Sequence, residues 1–142
     1  MIVLAYDHRG YEIMKKVEKY LVELGHEVKV CASEPYDAKD SYTKFALEGN
    51  QLIIENKGAM GIYCCRTGIG ISIMANRKKG IKAGLCHDEE TVRLARNDDD
   101  INVLVIPCDL KIGKLKKMIN TFLNTPFEGG RHQARVDEYD KH

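Results

Sequence analysis

One stretch in the middle of the chain, Gly61-Ile62-Tyr63-Cys64-Cys65-Arg66-Thr67-Gly68-Ile69-Gly70-Ile71-Ser72, puts two thiols, a guanidinium and a hydroxyl beside a glycine-rich turn. Spacing narrows the chemistry. A redox pair of the thioredoxin kind needs Cys-x-x-Cys, and here the cysteines are adjacent. A cysteine-phosphatase loop closes on an arginine downstream of its nucleophile, where this chain has Gly70 or Ile71. The dinucleotide fingerprint Gly-x-Gly-x-x-Gly fails at Ile73, and the P-loop lysine is missing. What remains is a thiol at a strand's carboxyl end, just before a helix. Free N–H groups there and the charge of Arg66 favour a thiolate, which can act as base or nucleophile. Gly68 and Gly70 let a ligand approach the backbone closely. Neighbours in a strand point to opposite faces, so Cys64 reads as packing and Cys65 as the functional thiol. Two further groups are candidates. Asp7-His8 ends another apolar run, and Asp7 also reads as a plain helix cap. Arg131 and Arg135 follow Gly129-Gly130 and lie four apart on one helical face, spaced to clamp a phosphate. Alone, that stretch also reads as a solvated tail.

These groups need elements to position them. Short apolar runs at 2–6, 27–31, 60–64, 81–86 and 103–106 alternate with helical patterns at 10–24, 43–57, 69–78, 88–97 and 110–123. A polar loop broken by Pro35 covers 33–42, and a turn and short helix follow Asn124. Five strand–helix repeats predict an α/β fold: a three-layer α/β/α sandwich on a five-stranded parallel, Rossmann-like sheet. Ligands in such folds bind beyond the carboxyl ends of the strands. That rule selects the loops starting at Asp7, Cys65, His87 and Pro107.

The 142 residues suit one domain, 1–142, with 44% hydrophobic and 30% charged residues. A net charge of +1 points to neither nucleic acid nor membrane. The apolar run before Asp7 is too short for a signal peptide or a membrane span. Five cysteines, an odd number, read as free thiols in a reducing cytoplasm.

The segments YDHRGYE, CRTGIGISIMANR, GIKAGLCHDEETVRLAR, INVL and FEGGRHQARV together resemble the type B ribose-5-phosphate isomerases and galactose-6-phosphate isomerase subunits. The resemblance spans nearly the whole chain. It implies an aldose–ketose isomerase acting on a phosphorylated sugar, without metal or other cofactor. It implies dimers or tetramers whose sites are shared between subunits, the 124–142 tail serving a neighbour's site. By the resemblance, Cys65 is the base that moves a proton through a cis-enediol(ate). Thr67 and the backbone at Gly68 and Gly70 hold the oxyanion. Asp7 and Tyr42 hold sugar hydroxyls, and His8, Arg131 and Arg135 hold the phosphate.

The chain departs from the family pattern in several places. Arg66 stands where Cys-Gly-Thr-Gly is usual, within reach of substrate. Asp98 takes the place of the ring-opening histidine, and Asp99 that of the asparagine beside it. Asp109 replaces an arginine, and Thr43 a proline. Three readings follow. The substrate needs little ring opening; or Asp98 or His87 supplies that proton; or the chain is a non-catalytic or half-site subunit, or a sugar-phosphate-binding protein, needing a paralogous partner. The run Asp98-Asp99-Asp100 is expected as a solvated turn, or as a contact to ligand or subunit; its spacing is no metal-ligand set.

Overall fold

The computed structural model describes residues 1–142. Five strands, β1 (Ile2–Tyr6), β2 (Val28–Cys31), β3 (Met60–Cys65), β4 (Ala83–Leu85) and β5 (Val103–Pro107), alternate with helices α1 (Tyr11–Glu23), α2 (Tyr42–Glu55), α3 (Ile69–Ala75), α4 (Glu89–Asp99) and α5 (Ile112–Asn124). A 3-10 turn, His8–Gly10, precedes α1, and another, Gly130–His132, precedes a last short helix, α6 (Gln133–Glu138). The sheet is parallel throughout, in the order β2-β1-β3-β5-β4. The chain moves outward from β1 to β2 and then returns to the other side of β1 to build β3. The strand order therefore reverses between β1 and β3, which opens a crevice beyond their carboxyl ends.

Side-chain alternation splits the core into two layers. Leu4, Tyr6, Ile62, Cys64, Leu104 and Ile106 face α1, α5 and Val92 of α4. Val3, Ala5, Tyr63, Cys65, Val103 and Val105 face α2 and α3. The helices present matching stripes: Met14, Val17 and Leu21 on α1, Leu115, Met118, Ile119 and Phe122 on α5, and Phe45, Ala46, Gly49 and Ile53 on α2. The expected three-layer sandwich is the observed one. Its second layer contains a buried polar link. Tyr63 Oη donates to Asn50 Oδ1 at 3.0 Å, and Asn50 Nδ2 donates to the Ala75 carbonyl at 3.1 Å. An unpaired buried polar group would cost about 1–3 kcal/mol, so this chain fastens α2, β3 and the end of α3 to one another.

Several boundaries differ from the sequence reading. Cys65 is the last residue of β3, registered on Pro107, rather than the first of the loop. β4 begins at Ala83, because Asn102 Oδ1 accepts the Lys82 N–H (2.8 Å) and Asn76 binds both backbone groups of Ala83. Asn76 also ends α3 at Ala75. α4 runs on through Asp98 and Asp99 to Asp100, whose φ of 53° closes it. The acidic run is thus a helix end, not a turn. Its unfavourable position on the helix dipole is offset by cations and donors: Arg96 (3.1 Å) and Lys82 (2.7 Å) on Asp100, and Tyr139 Oη on Asp99 (3.2 Å). No helix is long and apolar enough to cross a membrane.

Candidate active site at the carboxyl ends of β1 and β3

β1 delivers Asp7 and His8 to the crevice. Asp7 is buried and its Oδ1 accepts the Arg9 N–H at 3.0 Å, so it does cap the 3-10 turn. Burial holds its carboxyl above the usual carboxylate range, and the Arg9 N–H opposes that only in part. The turn can sit down on β3 because residue 10 is glycine: a Cβ there would lie 3.0 Å from Cys64 Sγ. His8 is oriented by a residue the sequence reading missed. One oxygen of Asp40, from the polar 33–42 loop, accepts the His8 backbone N–H at 2.8 Å and meets ring Nδ1 at 2.9 Å. A carboxylate only accepts, so Nδ1 is the donor to Asp40 and Nε2 is left for a ligand. Nothing in the sequence linked Asp40 to His8, which lies on another element.

β3 delivers Cys65, 4% exposed, into the α2/α3 layer, whereas Cys64 points into the opposite one. Burial pushes the Cys64 thiol well up, takes Cys31 and Cys86 to about 11, and raises Cys108. None of those four is placed to work as a base near neutrality. All five cysteines are free thiols. After Cys65 the chain turns sharply. Gly68 has φ of +80°, and a Cβ there would lie 2.5 Å from Leu85 Cδ1 and 3.3 Å from the Ile106 carbonyl. Both the conformation and the space demand glycine. Thr67 Oγ1 accepts the Ile69 N–H at 3.1 Å, and the Arg66 carbonyl takes the Cys108 N–H, tying this turn to the one after β5. Tyr42, the first residue of α2, lies over Gly70, where an added Cβ would fall 2.5 Å from its Cζ. Tyr42 also packs on the cluster that contains Cys65.

Two clefts lie near this turn, only the first of them lined by its residues. One, of about 500 Å³, is lined by Arg66, Thr67, Leu85, His87, Cys108 and Asp109. The other, of about 600 Å³, includes His8, Arg9, Tyr36 and Cys108, so Cys108 forms part of both walls. Two of the departures from the family pattern, Arg66 and Asp109, thus face one space. Arg66 is exposed and makes no ion pair.

The remaining candidates form a second group. Asp98 faces the tail, with its Oδ1 3.5 Å from His132 Nε2 and accepting from Asn97 Nδ2 at 2.8 Å. Asp99 accepts from Tyr139. Arg131 and Arg135 are exposed without ion pairs, and Arg135 Nη1 donates to the Arg131 carbonyl at 3.3 Å. No hydrogen bond or ion pair joins this group to Cys65, His8 or Thr67. One chain therefore gathers Asp7, His8, Tyr42, Cys65, Arg66, Thr67, Gly68 and Gly70 at one place, and Asp98, Asp99, Arg131 and Arg135 at another.

Known proteins share this fold over nearly the full chain. A ribose-5-phosphate isomerase B of Mycobacterium leprae is 30% identical over 138 residues, covering 96% of this chain and 85% of that one. The crystal structure of a ribose 5-phosphate isomerase from Thermotoga maritima superposes with a TM-score of 0.94 at 37% identity, over 99% of this chain and 97% of that one. Ribose-5-phosphate isomerase B from Mycoplasma genitalium, solved with bound ribulose 5-phosphate, gives 0.93 at 34% identity, over 99% and 93%. The family model described as Ribose/Galactose Isomerase matches residues 2–139, and with these full-length relatives it places the chain in the ribose/galactose isomerase family.

Proposed function

We propose that this sugar-phosphate isomerase interconverts an aldose phosphate and its ketose, ribose 5-phosphate and ribulose 5-phosphate or a close homologue, with Cys65 as the base. The observation that carries the reading is Cys65 at the end of β3, beside the Thr67–Gly70 turn and in the layer that Tyr42 packs on, at the strand ends where the strand order reverses. The Cys65 thiolate takes the proton from the carbon next to the open-chain aldehyde. The electron pair left on that carbon moves to the carbonyl oxygen as a cis-enediolate. The hydroxyl proton on the deprotonated carbon passes to the former aldehyde oxygen, and the same sulfur returns its proton to the neighbouring carbon, which leaves the ketone. Thr67 and the backbone at Gly68 and Gly70 face the oxygen on which charge develops, the place where preorganised donors lower a barrier most. Asp7 and Tyr42 orient hydroxyls. His8, in the form that carries an N–H on both ring nitrogens, donates from Nδ1 to Asp40 and from Nε2 to the phosphate, and Arg131 and Arg135 reach it from a second copy of the chain.

The departures fit the same scheme. With Asp109 in place of an arginine, Arg66 supplies the positive charge from the other side of the same cleft. His87 lines that cleft and is the ring-opening acid closest to Arg66 and Thr67, while Asp98 faces His132 of the tail. Exposed Leu47 and Ile54 on α2, with Ile69 and Ile73 on α3, give the site's own layer an apolar face for that copy.

Transfer through an enediolate predicts wash-in of solvent hydrogen. In heavy water, the purified protein should convert one of a panel of tetrose, pentose and hexose phosphates and place deuterium on the carbon that receives the proton, read by proton NMR. If no member is converted or exchanged, the lone-chain enzyme is wrong; activity regained only on adding a paralogous chain would make this a half-site subunit.

Asp40 gives a separate test of His8. Asp40→Ala should raise KM for the phosphorylated substrate about tenfold, the loss of roughly one charge-assisted hydrogen bond, with kcat changed much less. Asp40→Asn keeps an accepting oxygen and should recover most of the affinity. Equal KM in wild type and Asp40→Ala would remove Asp40 as a positioning residue.

A further inference from the structure

The polar tail contains one unbalanced buried group. His132 is only 8% exposed, and its Nε2 is shielded from solvent and has no hydrogen-bond partner. Two carboxylates converge on that nitrogen: Glu128 Oε2 at 3.4 Å and Asp98 Oδ1 at 3.5 Å. All three ligand atoms lie within 4.8 Å of one another. The separations are long for hydrogen bonds to a ring nitrogen. They match another geometry. A tetrahedral ion with bonds of about 2.0–2.1 Å to nitrogen and oxygen holds its ligand atoms about 3.3–3.4 Å apart.

We propose that Asp98, Glu128 and His132 bind a divalent transition-metal ion, with Zn²⁺ the best match, leaving a fourth position open. One imidazole and two carboxylates suit such an ion and neutralise its charge. Asn97 completes the arrangement. Its Nδ2 donates to both metal-facing oxygens, Asp98 Oδ1 and Glu128 Oε2, each at 2.8 Å. Each oxygen keeps a second lone pair for the ion, so Asn97 holds the pair in place without competing. The ligands come from the last turn of α4 and from the segment between α5 and α6; Glu128 and His132 stand four apart, whereas only the fold brings Asp98 to them. A bound ion fastens the tail immediately beside Arg131, and the inference does not depend on the isomerase reading.

The test uses full-length protein freed of metal by a chelator, then titrated with Zn²⁺ by calorimetry and with Co²⁺ by visible absorption. The expected result is one ion per chain, a tetrahedral cobalt spectrum lacking a thiolate charge-transfer band, and a saturable rise in Tm. His132→Gln and Glu128→Gln should each weaken binding more than tenfold, and Asn97→Ala by about 10–100-fold. Glu128 is more than half exposed, so Glu128→Gln serves if the buried substitution does not fold. No uptake, a thiolate band, or unchanged affinity in Glu128→Gln would each overturn the site. In those cases His132 simply packs between two carboxylates.

Discussion

Cys65→Ser should lower kcat for aldose–ketose interconversion by about 10²–10⁴-fold while KM moves only a few-fold, because removing a general base costs the transition state and not the ground state. Serine keeps the size and a hydrogen-bonding atom at the end of β3, so the layer that holds Tyr42 and Ile71 should stay packed. What it loses is acidity: a hydroxyl is not an anion at neutral pH. The adjacent thiol is the control. Cys64 lies on the opposite face, fully buried among α1 and α5 residues, with burial pushing its thiol well up. Cys64→Ala should cost stability, on the order of 1 kcal/mol for the lost packing, yet leave kcat nearly unchanged. The two variants differ by one position in the chain and by the whole thickness of the sheet. Steady-state rates on the best substrate, together with the deuterium assay, separate them. Full turnover by Cys65→Ser would remove the thiol from the mechanism, and a large loss in Cys64→Ala alone would assign it to the wrong sulfur.

The alternation that divides these sulfurs was legible in the sequence because a strand has a period of two, and β3 is long and apolar enough to show it. The fold was legible for the same reason: each strand is a short buried run and each main helix carries one apolar stripe. What escaped were relations between elements. Asp40 sits in a loop with no periodic signal, and only the folded chain brings it to His8. The acidic run read as a solvated turn because Asp at a helix end opposes the macrodipole; Arg96, Lys82 and Tyr139, which carry α4 through it, come from α4 itself, the loop before β4 and the tail. His132 and Glu128 stood four apart inside a recognised motif, but Asp98 is joined to them by packing, not by spacing.

Mixing two inactive variants should restore activity. Arg131→Ala/Arg135→Ala removes two charge-assisted contacts to phosphate, each worth about 1.5–3 kcal/mol, so kcat/KM should fall roughly 10²–10⁴-fold. These arginines are exposed, four apart and without acidic partners, and two unneutralised guanidinium groups on one short segment favour an anion between them. They make no contact with Cys65 in their own chain. If a two-fold related copy supplies them, every site takes its thiol from one subunit and its arginines from the other. In a heterodimer of Cys65→Ser with the arginine double variant, one site inherits both lesions and the other neither. Random reassortment of equal amounts makes about half the dimers mixed, each with one intact site, so about a quarter of wild-type activity should return. Exposed Leu47, Ile54, Ile69 and Ile73 predict that such copies associate through the α2/α3 layer, next to the turn that carries Thr67. Native mass spectrometry would establish that chains had exchanged. Activity near a quarter would then fix the site as shared, whereas exchanged but inactive mixtures would return the arginines to the chain that carries them and end the shared-site reading.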